Sequence, residues 1–256
     1  MSSTIRHTFV CLFLCVLSLC GLLTSAQAGA RVGVSMILCR EEVATKQQRE
    51  LAEQLRIITG WSDLNFDADG SLLLGTATAN GGSQKARELL TSVQNGNNLI
   101  VIEDASGSDD VVFGRVVEAR WKKGDEDRPP AFVVKVDFAD FSHVIGDADA
   151  LAAFNAGWVV LHELYHVTSG APDSSSAGET GECEALINQM RRECRLAVRS
   201  EYHFHFYPGV NRGEFRTRYV RLAFERQNPA TNKKRRVWLM WDAAFVGGLT
   251  AHNTHH

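Results

Sequence analysis

Residues 162–166 read His-Glu-Leu-Tyr-His. Side chains four apart leave an α-helix on one face, so His162 and His166 can reach a single Zn2+, with Glu163 beside the water that such an ion binds. That trio would hydrolyse an amide: the ion makes water acidic, and the carboxylate takes its proton. Two imidazoles do not complete a catalytic zinc site, which takes three protein ligands and keeps a further position open. The acids downstream that can supply the third are Asp173, Glu179, Glu182 and Glu184.

The segment that must hold the two histidines is apolar at helical spacing from Ala148 through Val167. Leu151, Phe154, Trp158, Leu161 and Leu164 are its anchors, and Asn155, Val159, His162 and His166 lie along one edge. Gly170, Pro172 and the serines around them end it, and a further helix is expected from about Glu179 to Arg199. Ahead of it the pattern predicts a strand over Arg31–Leu38, a helix over Glu41–Thr59 stopped by Gly60, and a hairpin around Asp69-Gly70. A helix over Ser83–Val93 follows, then strands over Leu99–Glu103, Val111–Trp121 and Ala131–Phe138. After the last helix, Tyr202–Tyr207 alternates as a strand that would put His203 and His205 on one side. Glu214–Arg226 and Arg236–Asp242 form a terminal hairpin. The class is therefore α+β, with a mixed sheet, two long helices that carry the chemistry, and a C-terminal β-hairpin.

The N-terminus reads as a cleaved leader. Arg6 and His7 precede an apolar run from Phe9 to Leu23, about fifteen residues against the roughly twenty that span a bilayer, and Ala26-Gln27-Ala28 offers a small-residue cleavage site. Residues 1–28 are thus expected to be a signal peptide and 29–256 one domain, secreted or periplasmic, with no transmembrane segment in the mature chain. Three of the six cysteines, Cys11, Cys15 and Cys20, would leave with the leader. Cys183 and Cys194 are too far apart along one helix to pair, whereas Cys39 could bridge to either, or all three could be buried thiols. The net charge of −3 gives no overall pull toward nucleic acid or an anionic membrane.

The run Cys183-Glu184-Ala185-Leu186-Ile187-Asn188 resembles the glutamate segment of thermolysin-type peptidases, the gluzincins, in which a second helix supplies a Glu ligand. Glu184 follows His166 by about the separation such enzymes use. On that likeness the ligands are His162, His166 and Glu184, with Glu182 as runner-up two residues away. The metzincin pattern HExxHxxGxxH, whose last ligand is sometimes Asp, puts Asp173 third in line, because Gly170 and Asp173 each fall one residue late. The stretch Asn188-Gln189-Met190-Arg191-Arg192-Glu193, with Arg199 and Tyr202 beyond it, resembles peptidases related to type III effector proteases and to toxin domains of Rhs-type proteins. Both likenesses imply a zincin fold.

The expected activity is zinc-dependent hydrolysis of peptide bonds in a protein or peptide substrate, with Glu163 as general base. Tyr202 and His203 are candidate donors to the oxyanion, beside Arg199 and His205. Two alternatives stay open: a zinc amidohydrolase acting on something other than a peptide, and a noncatalytic extracytoplasmic binding protein with structural zinc or none. The basic C-terminal residues, from Arg212 to Arg236 with Phe215, Tyr219 and Trp238 among them, read first as a solvated hairpin face. His252, His255 and His256 are too terminal to place in a site.

Overall fold

A computed structural model describes residues 36–123, 128–206 and 218–247. The expected leader, Arg212, Arg216 and the terminal histidines lie outside these residues. Among the described residues no helix is long and apolar enough to cross a membrane.

The chain is α+β, and its described residues form two larger sheets and a two-stranded hairpin. Strand β1 (Met36–Cys39) is followed by helix α1 (Thr45–Thr59), the short hairpin β2 (Asn65–Phe66) and β3 (Leu72–Leu73), and helix α2 (Gln84–Asn95). Then come β4 (Leu99–Asp104), β5 (Gly114–Ala119) and β6 (Ala131–Val136). The first sheet has the order β1-β4-β6-β5. Its three strands β1, β4 and β6 are parallel and β5 runs antiparallel on the edge. Parallel strands are covered on both faces, which is why β4 and β6 read as Leu-Ile-Val-Ile and Ala-Phe-Val-Val without clean alternation. Helix α1 ends where Gly60 takes the left-handed conformation at φ 75°, and Ser83 caps α2 by accepting from the Ala86 N–H.

The long helix expected over Ala148–Val167 is two helices: α3 (Ala148–Ala152) and α4 (Ala156–Ser169). Asn155 divides them. Its backbone is extended and its side chain accepts from the Trp158 N–H, so it caps α4 instead of continuing α3. Helix α5 (Gly181–Glu193) is likewise shorter than expected. Arg195 turns left-handed at φ 56°, and Val198–Arg199 becomes a strand, β8, instead of a last helical turn.

The second sheet is antiparallel. Strands β10 (Tyr219–Gln227) and β11 (Lys234–Asp242) pair over their full length from Tyr219↔Asp242 to Gln227↔Lys234, the expected hairpin. β7 (Ile145–Gly146) joins β11, while β8 and β9 (His205–Phe206) join β10. Many basic residues of this hairpin have local partners: Arg226 and Arg235 meet Asp149, Lys234 meets Glu225, and Arg218 meets Asp242.

Two apolar clusters follow from the two sheets. One gathers α1, α2, the parallel strands and the inner face of α4 around Leu51, Leu90, Ile100, Trp158 and Leu161. The other packs Phe113, Phe154, Phe224, Leu239 and Trp241 between α3 and the hairpin. Helix α4 approaches β5 closely: a Cβ on Gly114 would stand 2.3 Å from Val159 Cγ1. Only glycine lets the edge strand lie this near the helix.

Candidate metal centre

Helix α4 holds its histidines rigidly because almost all of its first ten residues are buried, and Gly170 closes it at φ 67° with an N–H to the His166 carbonyl. The ring nitrogens His162 Nε2 and His166 Nε2 stand 3.1 Å apart. Asp173, carried on the loop after α4, brings Oδ1 to 3.0 Å from the first and 3.3 Å from the second. Three ligand atoms bound at about 2.0–2.1 Å to a tetrahedral ion stand about 3.3 Å from one another. His162, His166 and Asp173 therefore form a group that could hold a metal ion.

Each donor is oriented from behind. His166 Nδ1 donates to the Ala171 carbonyl at 2.7 Å, with Cys183 Sγ at 3.2 Å, which leaves Nε2 for the group. His162 Nδ1 lies 3.4 Å from Glu184 Oε2. The Tyr202 hydroxyl donates to Asp173 Oδ2 at 2.6 Å, and its ring lies nearly parallel to His162 at 6.0 Å. An isolated bridge between Asp173 and Gly181 ties the loop to the start of α5.

The acids expected as ligands fall elsewhere. Glu184 is fully buried, and Arg191 and Arg199 hold its two oxygens. Burial resists its charge, but the two guanidinium groups win and keep the carboxyl well below the usual range. It meets the far nitrogen of His162, so it orients that ring and does not join the three converging atoms. Glu182 is exposed and accepts from the Tyr165 hydroxyl at 3.2 Å. Asn188 fixes the arginines: its Oδ1 accepts from Arg191 and from the Arg199 N–H, and its Nδ2 donates to the Arg199 carbonyl.

Glu163 is buried, and burial raises its pKa against the opposing pull of His162 and His166. The Val116 N–H of the edge strand supports its carboxylate. Burial opposes the charge on His162, yet Asp173 and Glu184 lift it to about 9; hydrogen bonds to Asp173 and then Cys183 lift His166 to about 11. Comparison of the chain with family models, with curated proteins and with solved structures finds no match.

Tyr202 and His203 lie in a bend and not on a strand, so His203 and His205 do not share a side. His203 lines a cavity of about 610 Å³ together with His162, Glu163, His166 and Asp173, and its Nε2 is buried without a hydrogen-bond partner among the described residues. His205 is exposed and meets Glu201 at 2.9 Å. The described cysteines Cys39, Cys183 and Cys194 are free thiols, and burial pushes Cys39 up to about 12 and Cys194 to about 11. Sequence reasoning gave no weight to Val116 and Gly114, whose contribution is made by backbone and close approach and leaves no chemical mark on residue type.

Proposed function

We propose that this protein is a zinc-dependent peptidase of zincin type, with His162, His166 and Asp173 as ligands and Glu163 as general base. The observation that carries the reading is the convergence of the three ligand atoms at 3.0–3.3 Å, in the wall of a cavity that Glu163 also lines. When bound, the ion would supply a Lewis acid that polarises a carbonyl and makes water acidic near neutral pH.

The chain's own part follows from its geometry. Glu163, buried beside the ligands, would accept the proton of the attacking water and return it to the leaving amine. Tyr202 has its hydroxyl committed to Asp173, so its role is to position that carboxylate. Glu184, clamped by Arg191 and Arg199, would fix the His162 ring so that Nε2 faces the ion. Among the described residues the outer edge of β5, next to α4, pairs with no further strand and would offer backbone groups to an extended peptide. A substrate laid there would pass the Glu163 carboxylate.

Elemental analysis of the purified protein tests the ligand set. One equivalent of zinc is expected in the wild type and in Glu184→Gln, and none in Asp173→Ala. Cleavage of unfolded casein should disappear in Glu163→Gln with zinc retained. Zinc lost from Glu184→Gln but kept by Asp173→Ala would overturn the ligand assignment. A zinc-loaded protein inert toward casein would favour a different amide or a binding role.

A further inference from the structure

The cavity beside the three ligands does not stop at the polar group. It runs inward to the second apolar cluster, where Phe113, Phe154 and Trp241 form its wall. Its volume of about 610 Å³ falls within the range of about 300–1,000 Å³ usual for small-ligand sites. Phe113 is held at φ 64°, a left-handed conformation that bulky side chains rarely take. Two backbone bonds hold it there: its N–H reaches Asp140 Oδ2 at 2.9 Å, and its carbonyl accepts from the Asp137 N–H at 3.0 Å. This turn sends the ring among its neighbours, edge-on to Phe154 at 4.8 Å and to Trp241 at 5.1 Å.

Among the described residues, three polar atoms on residues of this lining have no hydrogen-bond partner. Trp241 is 1% exposed and its Nε1 makes no hydrogen bond, and His203 Nε2 is in the same condition. Trp158 Nε1, a third such atom, belongs to a residue of the same lining. Buried polar groups are nearly always satisfied, so orphans around one cavity mark what its occupant should bring. An indole N–H can only donate, whereas an imidazole Nε2 can donate or accept according to tautomer. A hydroxyl matches both, accepting from the indole and giving to or taking from the imidazole. A flat apolar body matches the ring walls, which favour offset or edge-to-face contact. A carboxylate or an ammonium set among Phe113, Phe154 and Trp241 would have to shed its water.

We propose that the cavity is a specificity pocket for a phenolic side chain, a tyrosine of the substrate next to the bond that is cut. The proposal rests on the peptidase reading for its biological sense, but its binding test does not need catalysis. Titration of ¹⁵N-labelled protein, with and without zinc, with N-acetyltyrosinamide and N-acetylphenylalaninamide reads it directly. The Trp241 indole N–H resonance, assigned by its loss in Trp241→Phe, should move and saturate with the tyrosine amide. The phenylalanine amide should bind at least about fivefold more weakly, the scale of one hydrogen bond. No movement, or equal affinity for the two amides, would overturn the proposal.

A peptide mixture with cleavage sites read by mass spectrometry supplies the second arm. Sites beside Tyr should exceed those beside Phe by about tenfold in kcat/KM, and Trp241→Phe should bring that ratio toward about one. Cleavage with no aromatic preference would overturn the pocket assignment and leave the peptidase. No cleavage at all by zinc-loaded protein would overturn the peptidase and the substrate assignment together.

Discussion

Asp173 and Glu184 show how one carboxylate becomes a ligand candidate and another does not. Asp173 has one oxygen facing two imidazoles and the other accepting from Tyr202, whereas Glu184 spends both oxygens on arginines. Tyr202→Phe should therefore keep the fold and weaken zinc binding by about 10- to 100-fold, the usual effect of losing a partner behind a ligand. Competition with a fluorescent zinc chelator measures it, and unchanged affinity would remove Tyr202 from the site. Glu184→Ala should also act on stability. It strands the buried Arg191 without a counter-charge, at a cost of about 3–5 kcal/mol. Urea denaturation reads that loss, and a change below about 1 kcal/mol would mean the cluster is not what holds α5 to α4. His162, Glu163 and His166 were legible because helix periodicity alone brings their side chains together. Asp173 ranked only third among the candidate acids, because it reaches the group through a loop whose path has no period, and its distance along the chain matches no fixed pattern.

At the level of elements, the parallel strands, α1, α2 and the terminal hairpin were readable from apolar pattern and turn residues. What failed was length. Apolar periodicity runs unbroken across Ala148–Val167, but Asn155 prefers to cap, and Arg191 uses its guanidinium to bind the Ala153 carbonyl exposed at that break. Periodicity reports which side of a segment is buried and is blind to such an interruption. The edge strand illustrates a further dependence. Gly114→Ala would drive a methyl against Val159, and overpacking of this kind costs about 1–3 kcal/mol. Because β5 also brings the Val116 N–H to Glu163, activity should fall with stability. Val159→Ala in the same chain should recover at least half of the stability, as a double-mutant cycle of melting curves would read. Additive losses would place the strain elsewhere.

For the molecule as a whole, ion, protons and folding are linked. With no ion bound, His162 and His166 titrate near 9 and 11, above their ordinary 6.5. A base raised in the folded state adds stability that is complete below pH 6.5 and is lost as pH climbs through those two values. Zinc needs both imidazoles neutral, so uptake at pH 7 should release about two protons, and affinity should rise with pH. Calorimetry in two buffers of different ionisation enthalpy counts them, and zero release would contradict the ligand set. The overall class was visible from the sequence, but the meeting of two apolar clusters around one cavity was not, since Phe113 and Trp241 lie far apart along the chain. The bridge between Asp173 and Gly181 has its own consequence. It closes the intervening loop at its base, so that residues 175–178 should tolerate changes in length or composition, whereas the Glu179 carbonyl accepts from the Tyr202 N–H and must stay in place. A search for other chains of this design should therefore anchor on two histidines and an aspartate seven positions after the second, and leave the gap beyond them free. The segment is equally the place to graft a reporter peptide or an affinity handle beside the site without touching its chemistry.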